Sequence, residues 1–114
     1  HFPTSGLVVN EAKLKSDAPR IKTVIRVMLD ATTFCRKEKN WVVNYIKDRW
    51  KLEPKTAETV YDQWLSILTP DGKISVKDMQ EYFDLAYSQK QIPAPINVAA
   101  VTDYSLLDQV LAGK

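Results

Sequence analysis

The chain has 114 residues, 45% of them hydrophobic and eleven aromatic, which is enough for one domain with a core of its own, spanning residues 1–114. Only three glycines argue against an all-β sandwich built on many tight turns. The net charge of +2 is too small to favour nucleic acid or an anionic membrane as a partner by itself.

The charge is uneven. Residues 36–55 hold Arg36, Lys37, Lys39, Lys47, Arg49, Lys51 and Lys55 against Glu38, Asp48 and Glu53, a local net of +4 that leaves the remainder at −2. Cys35 is the single cysteine, so no intrachain disulfide is possible. No apolar run approaches the ~20 residues of a membrane-spanning helix. His1-Phe2-Pro3-Thr4 carries neither a basic flank nor an apolar signal core, and there is no initiator Met; the N-terminus is expected to be a cut made inside a longer protein.

Gly6-Leu7-Val8-Val9-Asn10 is a short apolar run with two β-branched residues, and it predicts a strand. Glu11 to Leu14 allows one helical turn. Ser16 or Asp17 can cap the next helix, with Pro19 in its first turn, where no N–H is needed. That helix is predicted to reach about Lys37, burying a stripe of Ile21, Val24, Ile25, Met28, Thr32 and Cys35. A second helix is predicted over 39–51 with Val42, Tyr45, Ile46 and Arg49/Trp50 inward. Glu53-Pro54 opens a third, whose stripe is Ala57, Val60, Tyr61, Trp64, Leu65 and Leu68.

Pro70-Asp71-Gly72 is a turn, with Pro setting φ and Gly free to take a positive one. Ser75 with Asp78 three residues on predicts a capped helix start, and Ile74 with Met79 forms a hydrophobic staple across it. Tyr82, Phe83 and Ala86 continue the inner face. The prolines at 93 and 95 force an extended connector, expected to last through Val101. Thr102 or Asp103 caps a last helix carrying Leu106, Leu107, Val110 and Leu111, and Gly113 ends it. The fold class is therefore mainly α, with about five helices and one short N-terminal strand.

Few residues suggest catalysis. His1 is the only histidine and is terminal, so Ser–His, Cys–His and zinc–His sets lack their imidazole. Cys35 has Arg36 and Lys37 beside it but keeps register with Met28 and Thr32, as a core cysteine does. Asp71-Gly72-Lys73-Ile74 with Asp78 resembles half a calcium loop. With Gly72 at its sixth position, however, Ile67 stands where the first carboxylate must be. No metal, no cofactor and no catalytic residue is expected.

Trp41, Tyr45 and Trp50 within the basic stretch form a nucleic-acid-like pattern. The interleaved acids favour a solvated basic face over a core helix, and no nucleic-acid binding is expected. Thr4, Ser5 and Asn10 flank the predicted strand and are the candidate ligand-binding residues, although such residues commonly serve only as turn formers.

Four segments in order carry a family resemblance. They are Asp17-Ala18-Pro19-Arg20-Ile21, opening the long helix; Trp50-Lys51-Leu52-Glu53-Pro54-Lys55-Thr56-Ala57-Glu58-Thr59-Val60-Tyr61; Leu68-Thr69-Pro70-Asp71-Gly72-Lys73-Ile74-Ser75; and Val101-Thr102-Asp103-Tyr104-Ser105-Leu106-Leu107. Over nearly its whole length, Pro3 to Lys114, the chain resembles the last third of a periplasmic solute-binding protein of the nitrate/sulfonate/taurine type. Each segment is moderately specific, and the ordered set is more so.

The resemblance implies a fragment of a two-lobed α/β receptor, periplasmic or extracellular and bacterial. Such a receptor is not an enzyme. It captures a small solute of the nitrate, sulfonate, taurine or thiamine-precursor class between its lobes and delivers it to an ABC-type permease. Most ligand contacts would lie outside the chain, and Asn10 and Glu11 stand where the family has basic or hydroxyl residues. The rival reading is a freestanding helical module whose basic face, 36–55, binds an acidic partner or nucleic acid.

Overall fold

The computed structural model describes residues 6–113. Among them the chain is mainly helical: α1 (Glu11–Ser16), α2 (Ala18–Lys37), α3 (Lys39–Trp50), α4 (Pro54–Ile67), α5 (Val76–Ser88), α6 (Val98–Val101) and α7 (Ser105–Leu111). It divides into two compact units, one made of the segments up to Lys22 and from Lys73 onward, the other of Thr23–Gly72. The long helix α2 contributes its first turn to the former and its remainder to the latter.

The Thr23–Gly72 unit is organised on α3 and α4. Val42 and Ile46 from α3 meet Ala57 and Tyr61 from α4, with Cys35, Val43, Leu52 and Leu65 packed around them. Ala57 has no exposed surface, and its small side chain leaves room for α3 to lie close. Burying residues such as Val42 and Ile46 contributes about 1.5–3 kcal/mol each. Tyr61 is buried with its polar end satisfied: the hydroxyl donates to the Cys35 carbonyl at 2.9 Å. The Arg36 guanidinium donates to the Leu68 carbonyl, one of those left open at the end of α4, at 2.7 Å. Pro54 occupies the first turn of α4 as expected. Helix α3 closes at Lys51, which takes a left-handed conformation (φ 55), while the Leu52 N–H reaches back to the Lys47 carbonyl.

In the other unit, Ser75 caps α5 by accepting the Asp78 N–H at 3.2 Å. Ala86, Val98, Leu107 and Val110 are its buried residues. Gln80 holds the connector after α5. The Gln80 amide donates to the Ile96 carbonyl at 2.9 Å and accepts the Val98 N–H at 3.0 Å. Lys22, in the first turns of α2, donates to Gln109 of α7 at 3.3 Å.

Five sequence-based expectations are corrected. No strand forms at 6–10. No second strand among the described residues offers a ladder, and a lone strand leaves its N–H and C=O groups unpaired. Asn10 instead caps α1. The extended run expected through Val101 turns helical at Val98, so with α1 the count rises to seven. Helix α2 has no buried residue. Ile21, Ile25, Leu29, Thr32 and Cys35 are half-buried, whereas Val24 and Met28 of the expected stripe are exposed. On α3 the inward face is narrower than the sequence suggests. Val42 and Ile46 fill it, and Tyr45, Arg49 and Trp50 turn to solvent. Helix α4 shows the same narrowing: Ala57 and Tyr61 are buried, while Val60 and Trp64 lie at the margin of its stripe.

Candidate functional site

Of the three candidate ligand residues, Thr4 and Ser5 lie outside the described residues. Asn10 is exposed, and its side-chain oxygen accepts the Lys13 N–H at 3.2 Å. That bond satisfies one of the open donors at the start of α1. No group of three His, Cys, Asp or Glu side chains among the described residues is placed to hold a metal ion.

Three features remain. The first is a polar groove in the Thr23–Gly72 unit, about 510 Å³, walled by Lys39, Asn40 and Asn44 from α3 and by Pro54, Lys55 and Glu58 from α4. Lys39, one of its walls, places its ammonium 3.1 Å from Asp62 and 3.1 Å from Glu58. The hydrogen bond to Asp62, then that to Glu58, raises the Lys39 pKa above its ordinary value. Lys39 therefore stays cationic, and the groove offers a fixed charge cluster rather than a base. It is open to solvent, where such pairs contribute little.

The second is a row of aromatic rings. Phe34, at the end of α2, meets Trp41 edge-on at 5.3 Å between centroids. Trp41 lies nearly parallel to Tyr45 at 5.5 Å and 7°. Tyr45 meets Trp50 edge-on at 6.4 Å. The four are 44%, 56%, 51% and 60% exposed, so each ring keeps about half of its surface open to solvent. The sequence expectation had placed Tyr45 and Trp50 in the core. The missed signal is that α3 carries two adjacent i, i+4 pairs, Val42/Ile46 and Trp41/Tyr45, whereas a helix packed along one line buries only one.

The third joins two distant segments. Tyr104 follows Asp103, and its hydroxyl accepts the Ile74 N–H at 3.1 Å and donates to the Ile74 carbonyl at 2.9 Å. Lys73 forms an ion pair with Asp108 and places its ammonium 5.9 Å from the Tyr104 ring centroid. Asp103 accepts the Ser105 N–H at 2.7 Å, so its carboxylate satisfies the first turn of α7 from the position before the cap. The hydrogen bonds from Ser105 lower the Asp103 pKa from its ordinary value. A small hollow of about 220 Å³ on the same unit is lined by Tyr82, Leu85, Ala86, Gln89 and Gln91; it holds no charged group.

No protein-family model, curated protein or solved structure matches this chain.

Proposed function

We propose that the chain is the C-terminal part of a solute-binding receptor of the nitrate/sulfonate/taurine type, acting by capture and hand-over of a small solute rather than by chemistry on it. One observation supports this reading above the others. Two of the four segments that carry the resemblance, Leu68–Ser75 and Val101–Leu107, are thirty residues apart and bond directly through Ile74 and Tyr104. Short motifs that recur by chance have no reason to meet. Motifs kept for one architecture do, because each supplies the hydrogen-bond partners of the other. The solute would lie between this part and a second lobe, with the receptor closing around it by a hinge motion. A permease would take it from the closed receptor.

The test is calorimetry of the isolated chain and of its full-length parent against nitrate, taurine, alkanesulfonates and small amines. The parent is expected to bind one of them and the isolated chain none. A solute held between lobes is desolvated by both, and hydrogen bonds left in water contribute little net free energy. Tight saturable binding by the isolated chain would overturn the placement of the site. A parent gene that encodes no second receptor lobe would overturn the family reading itself.

A further inference from the structure

We propose that the exposed ring row of Phe34, Trp41, Tyr45 and Trp50 is a docking surface for an acidic polypeptide segment that carries apolar anchors. The inference does not rest on solute capture; it rests on the exposure of the row in this chain.

The row has the composition of a binding hot spot. Trp, Tyr and Arg are the residues in which binding energy concentrates, and here two Trp and one Tyr stand with Arg49 on the same helix. Rings that hold one another lose little freedom when a partner arrives, so less entropy opposes binding. Edge-on and parallel contacts at 5.3, 5.5 and 6.4 Å fix all four in this way.

Charge selects the partner's sign. Lys37, Arg49 and Lys51 have no ion-pair partner among the described residues, whereas Asp48 is held by Lys47 at 3.5 Å. Glu38 and Glu53 are the remaining acids of the stretch, each at the N-cap of a helix. The local excess is positive, and it favours carboxylates beside an apolar anchor.

Two other anionic partners fit less well. Single-stranded nucleic acid binds by stacking bases on open ring faces. Trp41 and Tyr45 already turn a face to each other, and Glu38, Asp48 and Glu53 would meet the phosphate chain. An anionic bilayer favours a helix with a uniformly basic rim, which those same acids interrupt. A polypeptide can place its charges to avoid them.

The experiment is selection of random displayed peptides on the intact chain, with counter-selection on Trp41→Ala/Tyr45→Ala. The expected winners combine Asp or Glu with Leu, Phe or Trp. They should lose about tenfold or more in affinity on the double variant, the scale of a single hot-spot residue. Arg49→Glu/Lys51→Glu leaves the rings in place; it should weaken the acidic winners and strengthen their Lys-for-Glu counterparts, so the test survives if the ring variant fails to fold. Winners that are basic or neutral would overturn the proposal, as would winners indifferent to both variants. Tighter saturable binding of a single-stranded oligonucleotide or of phosphatidylserine vesicles would assign the row to those partners instead.

Discussion

The Tyr104 hydroxyl bonds to both backbone groups of Ile74, accepting from its N–H and donating to its carbonyl. A phenol has one proton to give and lone pairs to receive, so a single side chain can take the place of a β-ladder partner for one residue. This bond pair fastens the segment just before α5 to the segment just before α7.

Tyr104→Phe removes both bonds while keeping the ring. The Ile74 groups are partly buried, and leaving them without partners is expected to cost about 1–3 kcal/mol. Urea melts of the two proteins measure the loss, and faster hydrogen exchange at the Ile74 amide localises it. Superimposable melts would mean that water replaces the hydroxyl at no cost.

Gln80→Leu should act on the connector in the same way. The Gln80 side chain is the partner of both the Ile96 carbonyl and the Val98 N–H. The expected loss is again about 1–3 kcal/mol, with increased proteolysis near Pro93–Pro95. An unchanged digestion pattern together with an unchanged melt would show that this clamp contributes nothing.

Ser75→Ala deletes the acceptor for the Asp78 N–H and should destabilise the chain by about 0.5–2 kcal/mol. Ser75→Asp should retain most of the stability, because a carboxylate accepts the same bond and suits the positive end of the helix. A thermal scan that ranks Asp with Ala rather than with Ser would contradict the capping role.

Cys35 is half-buried against the Val42–Tyr61 cluster, and its carbonyl receives the Tyr61 hydroxyl. A thiol reagent should label it slowly in the folded protein and quickly in denaturant. Equal rates in the two states would show that the packing does not protect it.

Two groups give the stability a defined pH dependence. The Asp103 pKa is lowered by its bonds from Ser105, so its contribution is present above the ordinary 3.8 and is lost as pH falls through the lower folded value. The Lys39 pKa is raised by Asp62 and Glu58, so its contribution is present below 10.5 and is lost as pH rises through the higher folded value. Asp103→Ala should therefore destabilise near neutrality and converge on the parent in strong acid. Lys39→Met should converge with it only in strong alkali. Both carry small effects, since both sites are open to water. A gap for Asp103→Ala that persists undiminished in strong acid would remove the carboxylate from the explanation.

The sequence by itself determined several helix boundaries, though not the start of α6 at Val98 or the Tyr104 cap of α7. Ser75, Pro54 and the Pro70-Asp71-Gly72 turn, with Gly72 at φ 76, all stand as their residue types require. These are interactions over three or four residues, decided by local sterics and by which N–H groups lack a partner. Tertiary structure decided which apolar residues are covered. Periodicity marks a face but does not say what lies against it. Val24 and Met28 on α2, and Tyr45 and Trp50 on α3, therefore share the pattern of buried residues and are exposed. Only the tertiary structure could supply the two side-chain clamps. Gln80 reaches eighteen residues ahead and Tyr104 thirty residues back, and a hydrogen bond between distant segments leaves no periodic trace in either. Trp41, Tyr45 and Trp50 of the ring row are legible in the sequence as aromatics in a basic stretch, whereas Phe34 lies outside it. The row's exposure follows from α3 packing against α4 along the Val42–Ile46 line, with Val43 beside it, which leaves the Trp41–Tyr45 line largely to the solvent.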